Sequence, residues 1–88
     1  MLSFEFRGSI ANIDETTADE PLHPATVLII ETGDILSRVV VPQAVLQNRL
    51  ALLWVGRPVR VLGEVKDWLS SRGPRHIATE LELACRGH

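Results

Sequence analysis

The spacing of apolar residues changes once along the chain and then changes back. Up to Val41 they crowd β-branched stretches; after Pro42 they recur as Leu46, Leu50, Leu53 and Trp54; from Val59 they alternate as Val59, Val61, Gly63 and Val65. A spacing of two collects side chains on one face of a strand, and a spacing of three to four collects them on one face of a helix. Pro42 suits the first helical turn, where its missing N–H would have had no internal acceptor. The pattern predicts one amphipathic helix over 43–54, with Gly56 as its stop, set between strands.

The strands follow from the same rule. Residues 2–13 place Leu2, Phe4, Phe6, Gly8 and Ile10 in one phase and Ser3, Glu5, Arg7 and Ser9 in the other. Residues 14–24 are acidic and contain Pro21 and Pro24, which remove backbone donors and predict a loop. Thr26–Thr32 and Ile35–Val41 read as a hairpin around Gly33–Asp34, because glycine takes a turn dihedral cheaply. In the strand after the helix, Val59, Val61, Gly63 and Val65 are expected inward and Arg60, Leu62, Glu64, Lys66 and Trp68 outward. Gly63 marks a bend or a close approach. A polar loop at 70–75 precedes a last strand containing Ile77, Thr79, Leu81 and Leu83.

With 88 residues, the chain is expected to be one domain, and a domain of this size buries only about 60–65% of its unfolded surface. Closing five strands into a barrel removes exposed edges, and a helix across one end seals the core. The fold class expected is therefore all-β: a five-stranded barrel with one helix between strands three and four.

Chemistry is sparse. Cys85 is the single cysteine, and His23, His76 and His88 are scattered, so no metal spacing or nucleophile–base pair is legible. A noncatalytic protein with no cofactor is the expectation. No apolar run approaches the ~20 residues of a membrane span, and Glu5 and Arg7 interrupt the N-terminal segment where a signal peptide would be apolar. A cytoplasmic protein without membrane contact is expected.

The net charge of -2 does not describe a general nucleic-acid binder, but its distribution is uneven. Residues 1–37 carry Glu5, Asp14, Glu15, Asp19, Glu20, Glu31 and Asp34 against Arg7. Residues 38–76 carry Arg38, Arg49, Arg57, Arg60, Lys66, Arg72 and Arg75 against Glu64 and Asp67. Such a dipolar surface steers an anionic ligand, an acidic protein or a second copy of the chain.

The hairpin Thr-Val-Leu-Ile-Ile-Glu-Thr-Gly-Asp-Ile-Leu-Ser-Arg-Val-Val-Val-Pro at 26–42, the helix after it, and Val-Gly-Arg-Pro-Val-Arg-Val-Leu-Gly-Glu-Val at 55–65 together resemble the oligonucleotide/oligosaccharide-binding (OB) fold. The resemblance spans nearly the whole chain and is closest to the minimal nucleic-acid-binding form. It implies that Arg38 stands on the ligand-side hairpin, that residues 14–24 form one binding loop, and that Lys66, Trp68, Arg72, Arg75 and His76 lie in or beside the other. The cations would neutralise phosphates of single-stranded DNA or RNA, and Trp68 would stack on a base or close the barrel end. Asp14, Glu15, Asp19 and Glu20 oppose a phosphate backbone. Arg49 and Arg57, near the helix, serve protein docking or remain solvated.

A second class of function competes with the first. With Val27 and Ile29 inward, Leu28 and Ile30 face outward, and Val40 and Leu62 extend them into an apolar patch suited to a homo-oligomer or a protein partner.

Overall fold

Strand alternation produces the five strands it predicts. A computed structural model describes residues 2–14, 25–47, 49–67 and 74–83. Five strands, β1 (Leu2–Asp14), β2 (Ala25–Thr32), β3 (Ile35–Pro42), β4 (Pro58–Asp67) and β5 (Pro74–Leu83), close into a barrel in the order β1-β2-β3-β5-β4. All neighbours are antiparallel except β3 and β5, which run parallel and pair at Val39–His76 and Val40–Ile77. The β2–β3 turn falls at Gly33, whose φ of 61° is cheap only for a residue without a Cβ.

β1 serves two neighbours. Its first part pairs with β4 from Leu2–Val65 to Ser9–Pro58, and its last part pairs with β2 from Ser9–Glu31 to Asp14–Val27. An irregularity between Ile10 and Asn12 lets the strand turn the corner.

The interior is built from Ile10, Leu28, Ile30, Val39, Val41, Val59, Val61, Ala78 and Leu81, with Leu46 and Leu53 inserted from the β3–β4 connection. This corrects the phase expected for β2: Leu28 and Ile30 point inward and are fully buried. Val27 packs instead with Ala25, Val40 and Ile77 on the outer side of β2, β3 and β5, and these four are buried as well. Where β2 and the second half of β3 are apolar in both phases, both sides are buried within the chain: Ala25, Val27 and Val40 on one, Leu28, Ile30, Val39 and Val41 on the other. The expected apolar patch therefore does not exist as an exposed surface: Leu28, Ile30 and Val40 are core residues, and Leu62 is half-buried on the outer side of β4.

The continuous helix expected over 43–54 is also corrected. Between β3 and β4 stands one turn, α1 (Gln43–Leu46), followed by a 3-10 turn at Leu50–Leu52. Gln47 ends α1 in the left-handed conformation with φ of 54°, its N–H donating to the Gln43 carbonyl at 2.9 Å. The Arg49 guanidinium then serves as the cap. It donates to the carbonyls of Leu46 (3.0 Å) and Val45 (2.9 Å), and also to that of Leu81 on β5 (3.2 Å). A cation at a helix C-terminus satisfies orphan carbonyls and opposes their partial negative charge. Breaking the helix lets Leu46 and Leu53 both enter the barrel, whereas Trp54 turns outward and remains half exposed.

Candidate nucleic-acid interface

The parallel seam between β3 and β5 is short, and beside it lies a groove of about 350 Å³ lined by Leu36, Ser37, Arg38, Arg75 and His76. The seam brings these residues together because β3 and β5 run side by side with Val39 opposite His76. Arg38 and Arg75 are separated by the end of the hairpin, the helix and β4 in sequence, so only closure of the barrel makes them neighbours of one cleft. Lys66 stands opposite Arg75 in the β4–β5 register. Its ammonium is 3.8 Å from Glu64, a long and exposed ion pair. Three of the six residues assigned to nucleic acid from the sequence thus line one groove, and Lys66 borders it. Trp68 and Arg72 lie outside the described residues, as does the acidic segment 15–24.

The other described cations are occupied. Glu5 Oε2 accepts hydrogen bonds from Arg60 Nε at 2.6 Å and Arg7 Nε at 2.7 Å, and Arg60 Nη1 donates to Glu82 Oε2 at 2.8 Å. The Arg60 guanidinium, followed by that of Arg7, holds the Glu5 carboxyl below the usual carboxylate range. The Glu5 and Glu82 carboxylates in turn raise Arg60. Arg60 of β4 therefore stands in a cross-strand ladder on the β1–β4–β5 face, neutralised by Glu5 and Glu82. Arg49 caps α1, and Arg57 donates to the Leu52 carbonyl at 2.8 Å while its guanidinium lies 4.4 Å from the Trp54 ring centre. Among the described residues, Arg38 and Arg75 alone among the arginines have neither a carboxylate nor a carbonyl partner.

Alternation along β1 predicts Phe4 and Phe6 inward and gives them no part in a site. They do point inward, but at the end of the barrel away from α1, where they remain only half-buried. Their rings lie 4.9 Å apart, and the His76 ring meets Phe4 edge-on at 5.0 Å and Phe6 at 5.1 Å. The available signal was position: inward residues near the start of a first strand stand at a barrel mouth. Among the described residues no cluster of three or more His, Cys, Asp or Glu side chains is arranged to hold a metal.

No family model matches this chain, and no curated protein matches it either. Its structure is similar to a chain in the crystal structure of the S. pombe Stn1–Ten1 complex, with a TM-score of 0.70 and 20% sequence identity. The similarity covers 96% of this chain and 59% of the other, so this chain spans less than two thirds of that chain's length. The strand order, the parallel β3–β5 seam, the short helix between β3 and β4 and this structural likeness lead to one conclusion: the chain has the OB-fold.

Proposed function

We propose that this domain binds single-stranded nucleic acid, tolerantly of sequence and without catalysis, along the groove between β3 and β5. The observation that carries this reading is the pair of uncommitted guanidiniums, Arg38 and Arg75, converging on one groove while the other described arginines are spent on structure. Guanidiniums recognise phosphate oxygens with a planar fork of donors, and Leu36 gives the same groove an apolar wall against which a base can lie. Lys66 extends the positive edge along β4.

Fluorescence anisotropy with labelled single-stranded DNA and RNA over a salt series tests this. Removing one cation that meets a phosphate of a single strand should reduce the slope of log affinity against log salt by about 0.7. Arg38→Ala and Arg75→Ala should each flatten the slope by that amount, and the double variant by about twice as much. A folded wild type that binds neither polymer at low salt, or a double variant with an unchanged slope, would count against the groove.

A second reading, association with protein, is favoured by one surface. Leu52, Trp54 and Val55 are 47%, 50% and 63% exposed in one short connection, and Arg57 holds Trp54 in place from its face. Exposed Trp–Arg pairs are frequent anchors of protein interfaces. The structurally similar chain comes from a complex of two proteins. For a second copy as occupant, sedimentation over a concentration series should show self-association that Trp54→Ala weakens by roughly thirtyfold. A wild type that sediments as a monomer throughout removes this version.

A further inference from the structure

The seam that closes the barrel is shorter than either strand that makes it. β3 meets β5 at Val39 and Val40 alone, whereas its pairing with β2 runs from Ile35 to Pro42. The hairpin therefore continues past the seam toward its turn, and there Ile35 and Leu36, one in each phase of the strand, are 66% and 63% exposed. The groove of about 350 Å³ opens beside this part of β3, with Arg75 and His76 on its other wall.

A two-residue hairpin loop closes on a hydrogen-bonded pair, here Thr32 and Ile35. Alternation along β3 then turns the backbone groups of Ile35, Ser37 and Val39 toward β2 and those of Leu36, Arg38 and Val40 away from it. Val40 meets β5 at the seam; among the described residues Leu36 has no strand opposite it on that side. An unpaired edge is a template for another strand, and residues 35–38 contain neither a proline nor a bulge to blunt it.

The charges of the segment are self-complementary. Asp34 leads into β3 and Arg38 stands four residues on; both are exposed, and neither has an ion-pair partner among the described residues. Laid antiparallel on itself with Leu36 at the centre, the segment brings Leu36 opposite Leu36, Ile35 opposite Ser37, and Asp34 opposite Arg38 at both ends. Leu36 belongs to the phase whose N–H and C=O point away from β2, so the same register also makes a hydrogen-bonded pair at its centre.

We infer that a second copy of this chain pairs with the free edge of β3 about a two-fold axis at Leu36, with Asp34 of each copy meeting Arg38 of the other. The contact is isologous and closes at two subunits. A nucleic-acid strand would meet Arg38, but Asp34 would repel it and the Leu36 backbone would stay unpaired. The inference does not rest on the nucleic-acid reading, although the two share Arg38.

Sedimentation velocity tests it. An edge this short supports weak, transient association, so the concentration series runs up to about 1 mM. Wild type should pass from monomer to dimer along the series. Asp34→Arg and Arg38→Asp each set like charges opposite one another at both ends, and each should weaken the dimer roughly tenfold. Mixed in equal amounts, the two variants should recover wild-type association as a heterodimer, because each supplies the charge that the other lacks. Both positions are exposed, so melting temperatures should match wild type; Leu36→Lys, which places like charges on the axis, replaces either variant that melts early and should also weaken the dimer. A wild type that stays monomeric at every concentration overturns the inference. So does a dimer that ignores the charge variants, that equal mixing fails to restore, or that Trp54→Ala dissociates instead. Anisotropy with nucleic acid is read at protein concentrations far below the range of the dimer, so failure of either reading leaves the other intact.

Discussion

Gly63→Ala is expected to destabilise the domain by roughly 3 kcal/mol, because the added methyl has nowhere to go and the atoms in its way are backbone. A Cβ built on Gly63 would overlap the carbonyl oxygen and carbon of Ile77 and come within 2.9 Å of the Ala78 Cα. Those atoms belong to β5 at the point where the β4–β5 register slips between Leu62 and Gly63. A flexible side chain could swing aside; a paired strand must separate. The unfolding midpoint should fall by about 15 °C for a domain of this size, and the urea midpoint should fall with an unchanged slope, as when native stability alone is reduced. Gly33→Ala is the contrasting control. Open space surrounds that Cβ, and only the left-handed backbone, with φ of 61°, resists it, a penalty of about 1 kcal/mol. A Gly63→Ala protein as stable as Gly33→Ala would mean that β4 and β5 do not approach as described.

Leu28→Asp is expected to abolish folding, and Leu28→Ala to cost about 3 kcal/mol through reduced burial and the cavity left behind. Leu28 is 0% exposed, between β1 and β3 neighbours in the barrel interior, and a carboxylate there has no cation in the apolar cluster to meet. Near-ultraviolet circular dichroism and urea titration would report both effects. If Leu28 faced outward, as alternation through Val27 and Ile29 suggests, Leu28→Asp would leave a folded protein and affect only association. A cooperative melt near the wild-type temperature for Leu28→Asp would therefore restore the outward reading and contradict this barrel.

The two substitutions mark different limits of what a sequence discloses. Gly63 was legible because a glycine in the middle of an otherwise regular valine phase has few structural explanations, and the close approach to Ile77 is one of them. Leu28 was not. In Thr-Val-Leu-Ile-Ile every residue is apolar or β-branched, so period two has no contrast from which to read a phase, and a slip of one residue exchanges the two faces. The same ambiguity produced the apolar patch of Leu28, Ile30, Val40 and Leu62. The helix was over-extended for a related reason: Leu46, Leu50 and Leu53 keep helical spacing even though left-handed Gln47 divides the segment. Their shared destination in the core, rather than one continuous helix, accounts for the pattern.

For the candidate site, the residue types were legible and their grouping was not. Arg38, Lys66, Arg75 and His76 were singled out through resemblance to a fold, yet Arg60 carries the same charge on the same kind of strand and is consumed by Glu5 and Glu82. Free and occupied arginines look alike in a sequence because an ion pair depends on cross-strand register. Local information, namely alternation, the proline-led helix start and the glycines at turns and close approaches, was enough to determine five strands, one helix between the third and fourth, and a closed barrel, since each reflects only the chain's own neighbours. Which phase of β2 is inside, where the helix breaks, which arginines remain free, and that Phe4, Phe6 and His76 meet at the mouth were decided by closure. Those features depend on strands far apart in the chain coming into one register, and no local pattern encodes the distance between them.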